Sequence, residues 1–224
     1  MPLVFPTSEE VPESRRHVDL RTLLYQSLRA AFGERAVLGS DQFVYWDPTD
    51  PKARCAPDVL ARLGEPDAPF PSWKVWERGA PHLAVEFISE YDSWDGPWSK
   101  KLERYRKLGV RELVRFDMED PGNELRIWDF VDGDLVERDP AAPGFRFSSV
   151  FGGYWFVKAD EFGPTLRLAR DEEGIVLYPT PDEGRLAAEA AARTAEEARL
   201  AAEEARRAAE EARRAAEVRI RELE

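Results

Sequence analysis

Glu86 sits inside His82-Leu83-Ala84-Val85-Glu86-Phe87-Ile88-Ser89, the most apolar strand-like run of the chain. A carboxylate in such a setting is costly unless it is paired or bound to a cation. Three readings follow: an ion pair with a nearby Arg or Lys, a strand end reached by water, or a ligand for a metal. Asp58 follows Pro57 within a second short run, Cys55 to Leu63. Because Pro-Asp is also an ordinary turn dipeptide, Asp58 decides nothing alone. Lys101 completes the set. In Trp98 to Leu108 the residues Trp98, Leu102, Tyr105 and Leu108 form one stripe, and at about 100° per residue Lys101 falls within it. Lys100 falls on the other side with Glu103, Arg104 and Lys107. An inward lysine needs a carboxylate or phosphate partner, unless its stem merely lies along apolar surface with the ammonium in water.

The elements that must position these groups are legible in outline. Ser14 to Phe32 reads as a helix, with Val18, Leu24, Leu28 and Ala31 at helical spacing, Ser14 as its cap and Gly33 as its stop. Val37 to Trp46 reads as a strand with Phe43 and Tyr45 alternating against polar neighbours, ended by the turn Asp47-Pro48-Thr49-Asp50-Pro51. Both faces of the Glu86 strand are apolar, which places it at the centre of a sheet. Pro97 suits the first turn of the following helix and Gly109 its end. Arg111 to Met118 returns as a strand, so strand, helix and strand form an α/β crossover.

Downstream, Leu125 to Val131 and Leu135 to Arg138 flank Asp132-Gly133-Asp134, a hairpin turn. A second hairpin is expected between Thr165 to Arg170 and Ile175 to Tyr178. The aromatic segment between them, Phe145 to Phe156, reads as irregular structure and short strands covering the sheet. Composition then changes, giving a body over residues 1–184 and an Ala/Glu/Arg-rich tail over 185–224. Alanines at 195, 198, 202, 205, 209, 212 and 216 alternate spacings of three and four, the pattern of a coiled coil. Pairs such as Glu203–Arg207 and Glu210–Arg214 support helix formation. Self-association through an alanine seam and a solitary solvated helix both fit, since alanine buries little area.

Charge and composition narrow the classes. The formal charge is −12; the tail holds nine Arg and ten Glu, so residues 1–184 carry 23 Lys+Arg against 34 Asp+Glu, or −11. An acidic body counts against general binding of nucleic acid, although it leaves room for a local basic cleft or a cluster of acids around a metal. A single cysteine, Cys55, excludes an intramolecular disulfide and a Cys-rich zinc site, and two histidines, His17 and His82, are too few for a His-based one. Gly152-Gly153 lacks the spacing and lysine of a phosphate loop, and serine-nucleophile signatures are missing. The first residues show no secretion signal, and no run approaches the roughly 20 apolar residues of a membrane span. A cytoplasmic protein with no membrane association is the expectation.

The stretches APDVLA, HLAVEFIS and KKLERYRKLGVRELVRFD, in this order, resemble the restriction-endonuclease family called Uma-two, a branch of the PD-(D/E)XK nuclease superfamily. The matching residues are Pro57-Asp58-Val59, then Val85-Glu86-Phe87-Ile88-Ser89, then Lys101-Leu102, Tyr105 and Gly109-Val110. The likeness covers about residues 55–118 and leaves the aromatic segment undefined. It implies an α/β fold with a restriction endonuclease-like core: a mixed central sheet flanked by helices, here with added β-hairpins and a long C-terminal helix. It also implies a metal-dependent endonuclease acting on DNA, with Asp58 and Glu86 holding Mg²⁺ (or Mn²⁺), the Phe87 carbonyl adding a ligand, and Lys101 as the catalytic cation that orients the attacking water or neutralises the transition state. The superfamily's usual lysine would stand at position 88, occupied here by Ile88; the resemblance moves it to Lys101. The linker Glu90 to Gly96 departs from the family's Ser-Pro-Ser-Thr-type loop, which bears on the rim of the site. Glu13 or Asp19 is a further acid to consider, His17 reads as structural or surface, and Asp41, Asp92 and Asp95 read as loop acids. The alternative is a catalytically inactive nuclease-fold interaction protein whose helical tail carries a protein partner or a second copy.

Overall fold

A computed structural model of the chain describes residues 14–88 and 97–221. Ser89, the linker Glu90 to Gly96 with Asp92 and Asp95, and Glu13 lie outside the described residues. The first helix, α1 (Arg15–Phe32), begins where the Ser14 hydroxyl accepts the His17 amide, at 3.1 Å. That bond satisfies one of the orphan amides of a helix start. Its buried face is His17, Leu20, Leu24, Ser27, Leu28 and Phe32, whereas Val18 is exposed. The apolar stripe is thus rotated from the expected one, and His17 belongs to it.

The expected strand from Val37 to Trp46 is two strands, β1 (Ala36–Gly39) and β2 (Val44–Tyr45). Asp41, at φ 52°, turns the chain between them. Likewise Cys55 to Leu63 divides into β3 (Arg54–Cys55) and β4 (Val59–Leu63), because Pro57 and Asp58 interrupt the ladder. A two-residue strand, β5 (Trp73–Lys74), and a short helix, α2 (Val75–Arg78), precede β6 (Leu83–Ile88). Next come α3 (Trp98–Leu108) and β7 (Glu112–Asp117). Pro97 stands just before α3, and Gly109 closes it in the left-handed region at φ 74°, which costs a glycine little. The hairpin of β8 (Leu125–Val131) and β9 (Asp134–Glu137) turns on Asp132 and Gly133, both at positive φ.

These strands make a six-stranded sheet in the order β1-β4-β6-β7-β8-β9. Only β6 and β7 are parallel, joined by the α3 crossover, and the other neighbours are antiparallel, so the sheet is mixed. Alternation along β6 sends Leu83, Val85 and Phe87 into the core shared with α1. Ala84 faces the opposite core, built with Tyr105 and Leu108 of α3 and with Trp73. Glu86 follows Ala84 to that side. β2, β3 and β5 form a small sheet of their own.

The aromatic segment contains β10 (Phe147–Ser148) and an eight-residue strand, β11 (Gly153–Asp160), which pairs with β12 (Gly163–Ala169). This corrects the expected second hairpin. The partner of β12 is β11, and Ile175 to Tyr178 contributes only a bridge from Leu177 to Ala169. The turn at Asp171 is real, its carboxylate accepting the Ile175 and Val176 amides. The returning residues, however, leave Ile175 81 % exposed and gain little by pairing. Trp155, Phe151, Leu166 and Leu168 fill the core on the α1 side of the main sheet. Glu112, fully buried, joins the layers by accepting the Trp155 indole N–H at 2.9 Å and the Arg138 guanidinium at 3.0 Å.

The chain divides into two compact units, Met1–Thr180 and Pro181–Glu224. The second is one helix, α4 (Pro181–Arg221), which starts four residues before the composition change at 185 and has no buried residue. Its surface carries Glu203–Arg207 and Glu210–Arg214 pairs at 2.6 and 2.8 Å. Among the described residues, no helix is long and apolar enough to cross a membrane.

Candidate functional site

Pro57 and Asp58 end the β4–β6 ladder in a way that creates the site. Val59 pairs with Val85, so Asp58 and Glu86 lie opposite each other one step beyond. There the Pro57 carbonyl accepts the Asp41 amide at 3.0 Å, leaving β6 without a main-chain partner on its β4 edge. The Asp58 carboxylate fills that place: Oδ2 accepts the Phe87 amide at 2.7 Å. Its other oxygen, Oδ1, lies 2.8 Å from Nε2 of His17 on α1 and 3.8 Å from the Arg21 guanidinium. Arg21 also reaches Asp41, at 3.4 Å. The Ser40 hydroxyl holds the Asp58 carbonyl at 2.8 Å.

Glu86 points the other way, at α3. Lys101 Nζ donates to Glu86 Oε2 at 3.0 Å, and the Tyr105 hydroxyl donates to Oε1. One turn of helix thus supplies both donors, as residues four apart lie on one face. Asp58, Glu86 and Lys101 are 7, 5 and 8 % exposed. Lys100 is exposed on the outer side of the same helix. Of the three residues, Lys101 and Glu86 are brought into direct contact against α3, whereas Asp58, bonded to the Phe87 amide next to Glu86, turns its other oxygen to α1. Asp19 does not join them: it is exposed and near only Arg15, at 3.8 Å.

The electrostatics at Glu86 are those of a buried acid. Burial lifts the Glu86 carboxyl to about 7; Lys101 opposes the rise, and the negative charge of Asp58 adds to it. Tyr105 is held well above its ordinary value by burial and then by Glu86, so it stays a hydroxyl donor at neutral pH. Glu112 shows that burial of an acid is not a functional mark in itself. Its pKa is also raised, by burial, yet Arg138 and Trp155 occupy it on the far side of β7, where it bonds layers together.

Sequence reasoning missed four participants. His17, read as structural, touches Asp58, and the spacing of His17, Leu20, Leu24 and Leu28 was the available sign that it faces inward. Tyr105 was assigned to the apolar stripe, which is true of its ring and silent about its hydroxyl. Arg21 and Ser40 had no local signal, since their roles depend on where Asp58 comes to rest. Arg115, in register with Glu86 across β6 and β7, adds a cation beside the site and is paired with Asp117 at 2.5 Å.

Among the described residues there is no group of three or more His, Cys, Asp or Glu side chains able to hold a metal. The available protein donors are the two carboxylates. A magnesium ion asks no more, because it keeps several waters and is commonly bound through one or two carboxylates. A divalent cation beside Glu86 would favour its ionised form against the burial, and the added charge of Asp58, that raise it. The donor set fits such an ion.

Residues 8–146, more than half of the chain and including Asp58, Glu86 and Lys101, match the model of the Uma2 family, described as "Putative restriction endonuclease". One similar solved structure is that of a "putative nuclease belonging to DUF820" from Anabaena variabilis, 13 % identical, with a TM-score of 0.42 over 59 % of this chain and 75 % of that one. No curated protein matches this chain.

Proposed function

This chain belongs to the Uma2 family of restriction-endonuclease-like proteins, and on that premise we propose that it is a metal-dependent endonuclease that hydrolyses phosphodiester bonds in DNA. The observation that carries the reading is the buried Lys101–Glu86 pair on β6, with the Asp58 carboxylate bonded to the next amide of that strand, at Phe87, and its charge felt by Glu86. Asp58 and Glu86 would hold Mg²⁺, or Mn²⁺ in its place. Such an ion supplies a more acidic bound water and a counter-charge for the phosphate.

The remaining work falls to the protein's own groups. His17 and the Phe87 amide fix both oxygens of Asp58, so that carboxylate loses little freedom when it takes a ligand. Tyr105 holds one oxygen of Glu86 and leaves the other to Lys101. With Glu86 holding such an ion, Lys101 would be the positive charge beside it, able to donate to a phosphate oxygen. Contacts of this kind typically change rates by about 10²–10³.

The test is cleavage of plasmid and linear DNA with Mg²⁺ or Mn²⁺ by wild type, Asp58→Ala and Lys101→Ala, with folding checked by circular dichroism. Wild type should cleave, and each variant should lose about a hundredfold or more. Equal cleavage by all three would assign the activity to another site or a contaminant.

A second reading has its own support: both acids are already satisfied by protein donors, and residues 1–184 carry a charge of −11. This is a nuclease-fold interaction protein without catalysis, its partner or second copy taken through α4. Melting curves separate the two. Mn²⁺ should raise the melting temperature of wild type through binding to the folded state and leave Asp58→Ala unchanged, whereas the interaction protein predicts no shift in either.

A further inference from the structure

On the outer side of α3, away from Glu86, lies an open groove of about 1040 Å³. One wall is the helix face bearing Lys100, Arg104 and Lys107; the other is the segment from Trp46 to Ala56, bearing Lys52 and Arg54. Five cationic side chains from two separate elements therefore converge on one space. Three carboxylates, Asp47, Asp50 and Glu103, also line it. Each is committed nearby: Asp47 accepts the Thr49 amide and hydroxyl, Asp50 accepts the Lys52 amide, and Glu103 pairs with Lys107 at 2.9 Å. The groove is a net two charges positive in a body that is strongly negative.

The groove also has a stacking surface. Phe43 is 46 % exposed, and the Arg54 guanidinium lies over its ring at 4.0 Å from the centroid. An exposed aromatic and a planar cation, stacked together among lysines, is the combination on which unpaired bases rest while their phosphates are neutralised. A duplex, whose bases are already stacked, gains nothing from it. Along the chain the lining comes close to the acids: Ala56 is two residues before Asp58, and Lys100 immediately precedes Lys101.

We propose that this groove binds a single nucleic-acid strand, phosphates against Lys52, Lys100 and Lys107 and a base against the Phe43–Arg54 stack, and delivers it to the Asp58–Glu86–Lys101 site. Binding follows from the groove itself; delivery rests on the nuclease reading above.

The experiment is fluorescence anisotropy of the full chain in EDTA with a labelled mixed-sequence single-stranded DNA, and with the same strand in duplex. The single strand should bind more tightly. Lys52→Glu/Lys100→Glu should weaken it by roughly tenfold or more, and Phe43→Ala should weaken it while Phe43→Trp restores it. Raising salt from 50 to 200 mM should weaken binding about 20-fold for three neutralised phosphates. Arg193→Glu/Arg206→Glu on α4, an equal change of charge elsewhere, should leave affinity unaltered. Duplex binding as tight as single-strand binding, or wild-type affinity in Lys52→Glu/Lys100→Glu, overturns the proposal. Groove-dependent binding without cleavage by wild type keeps the groove and removes the nuclease reading. Cleavage dependent on Asp58 with unaltered binding in the lysine pair does the reverse.

Discussion

Two buried acids with raised pKa values differ in the partners that hold them. Glu112 accepts from Arg138 and Trp155 in the interior, whereas Glu86 faces Lys101 and Tyr105 and feels the charge of Asp58. A buried histidine gives the prediction that belongs at this scale. His82 Nδ1 accepts the Leu63 amide at 3.1 Å, which requires a neutral ring. Burial, then the positive charges of Arg111 and Arg62, lower its pKa from 6.5 to about 4. The folded state thus binds this proton less well than the unfolded chain does. The stability His82 contributes is full above about pH 6.5 and is lost as pH falls toward 4. His82→Leu should be about 1–3 kcal/mol less stable at neutral pH, from the unsatisfied Leu63 amide. It should also lose less stability than wild type between pH 6.5 and 4. Urea titrations across that range measure both, and parallel pH slopes for the two proteins would contradict the assignment.

At the scale of elements, α3 is the part that makes the site. It is one helix with two jobs: Lys101 and Tyr105 turn inward to Glu86, and Lys100, Arg104 and Lys107 line the outer groove. Adjacent lysines should therefore respond very differently to removal. Lys101→Ala breaks a buried pair and should cost about 3 kcal/mol. Lys100→Ala, exposed, should stay within about 0.5 kcal/mol. Equal effects in chemical denaturation would mean that the helix is rotated from the position described. The ladder between β4 and β6 matters as much, because its interruption at Pro57 is what frees the Phe87 amide for Asp58.

For the whole molecule, the two compact units carry separate sequence logics. The body draws its stability from two cores on either side of the main sheet. The tail, α4, has no buried residue and relies on helix propensity and surface pairs. A chain ending at Thr180 should keep the body's melting temperature within about 2 °C, since surface losses of this kind are within about 0.5 kcal/mol. Calorimetry of the truncated chain checks this; a large drop would make α4 part of the folding unit. If the interaction reading holds, the same truncation removes partner capture.

Local pattern determined a great deal of this protein. Trp98–Leu108 was legible to the residue because an apolar stripe, a preceding proline and a following glycine agree. The Asp132-Gly133 hairpin was legible for the same kind of reason, as was the inward side of Lys101. Period and turn chemistry are properties of neighbours in sequence, so they can be read there. Tertiary structure alone decided the rest. β11 pairs with β12 instead of Ile175 to Tyr178, because seven cross-strand pairs outweigh one bridge, and a choice between strand partners is invisible to any single segment. His17, Arg21 and Ser40 reach Asp58 across 18 to 41 residues of chain. Which side chains surround a buried charge depends on how distant elements pack, and no spacing along the chain encodes it.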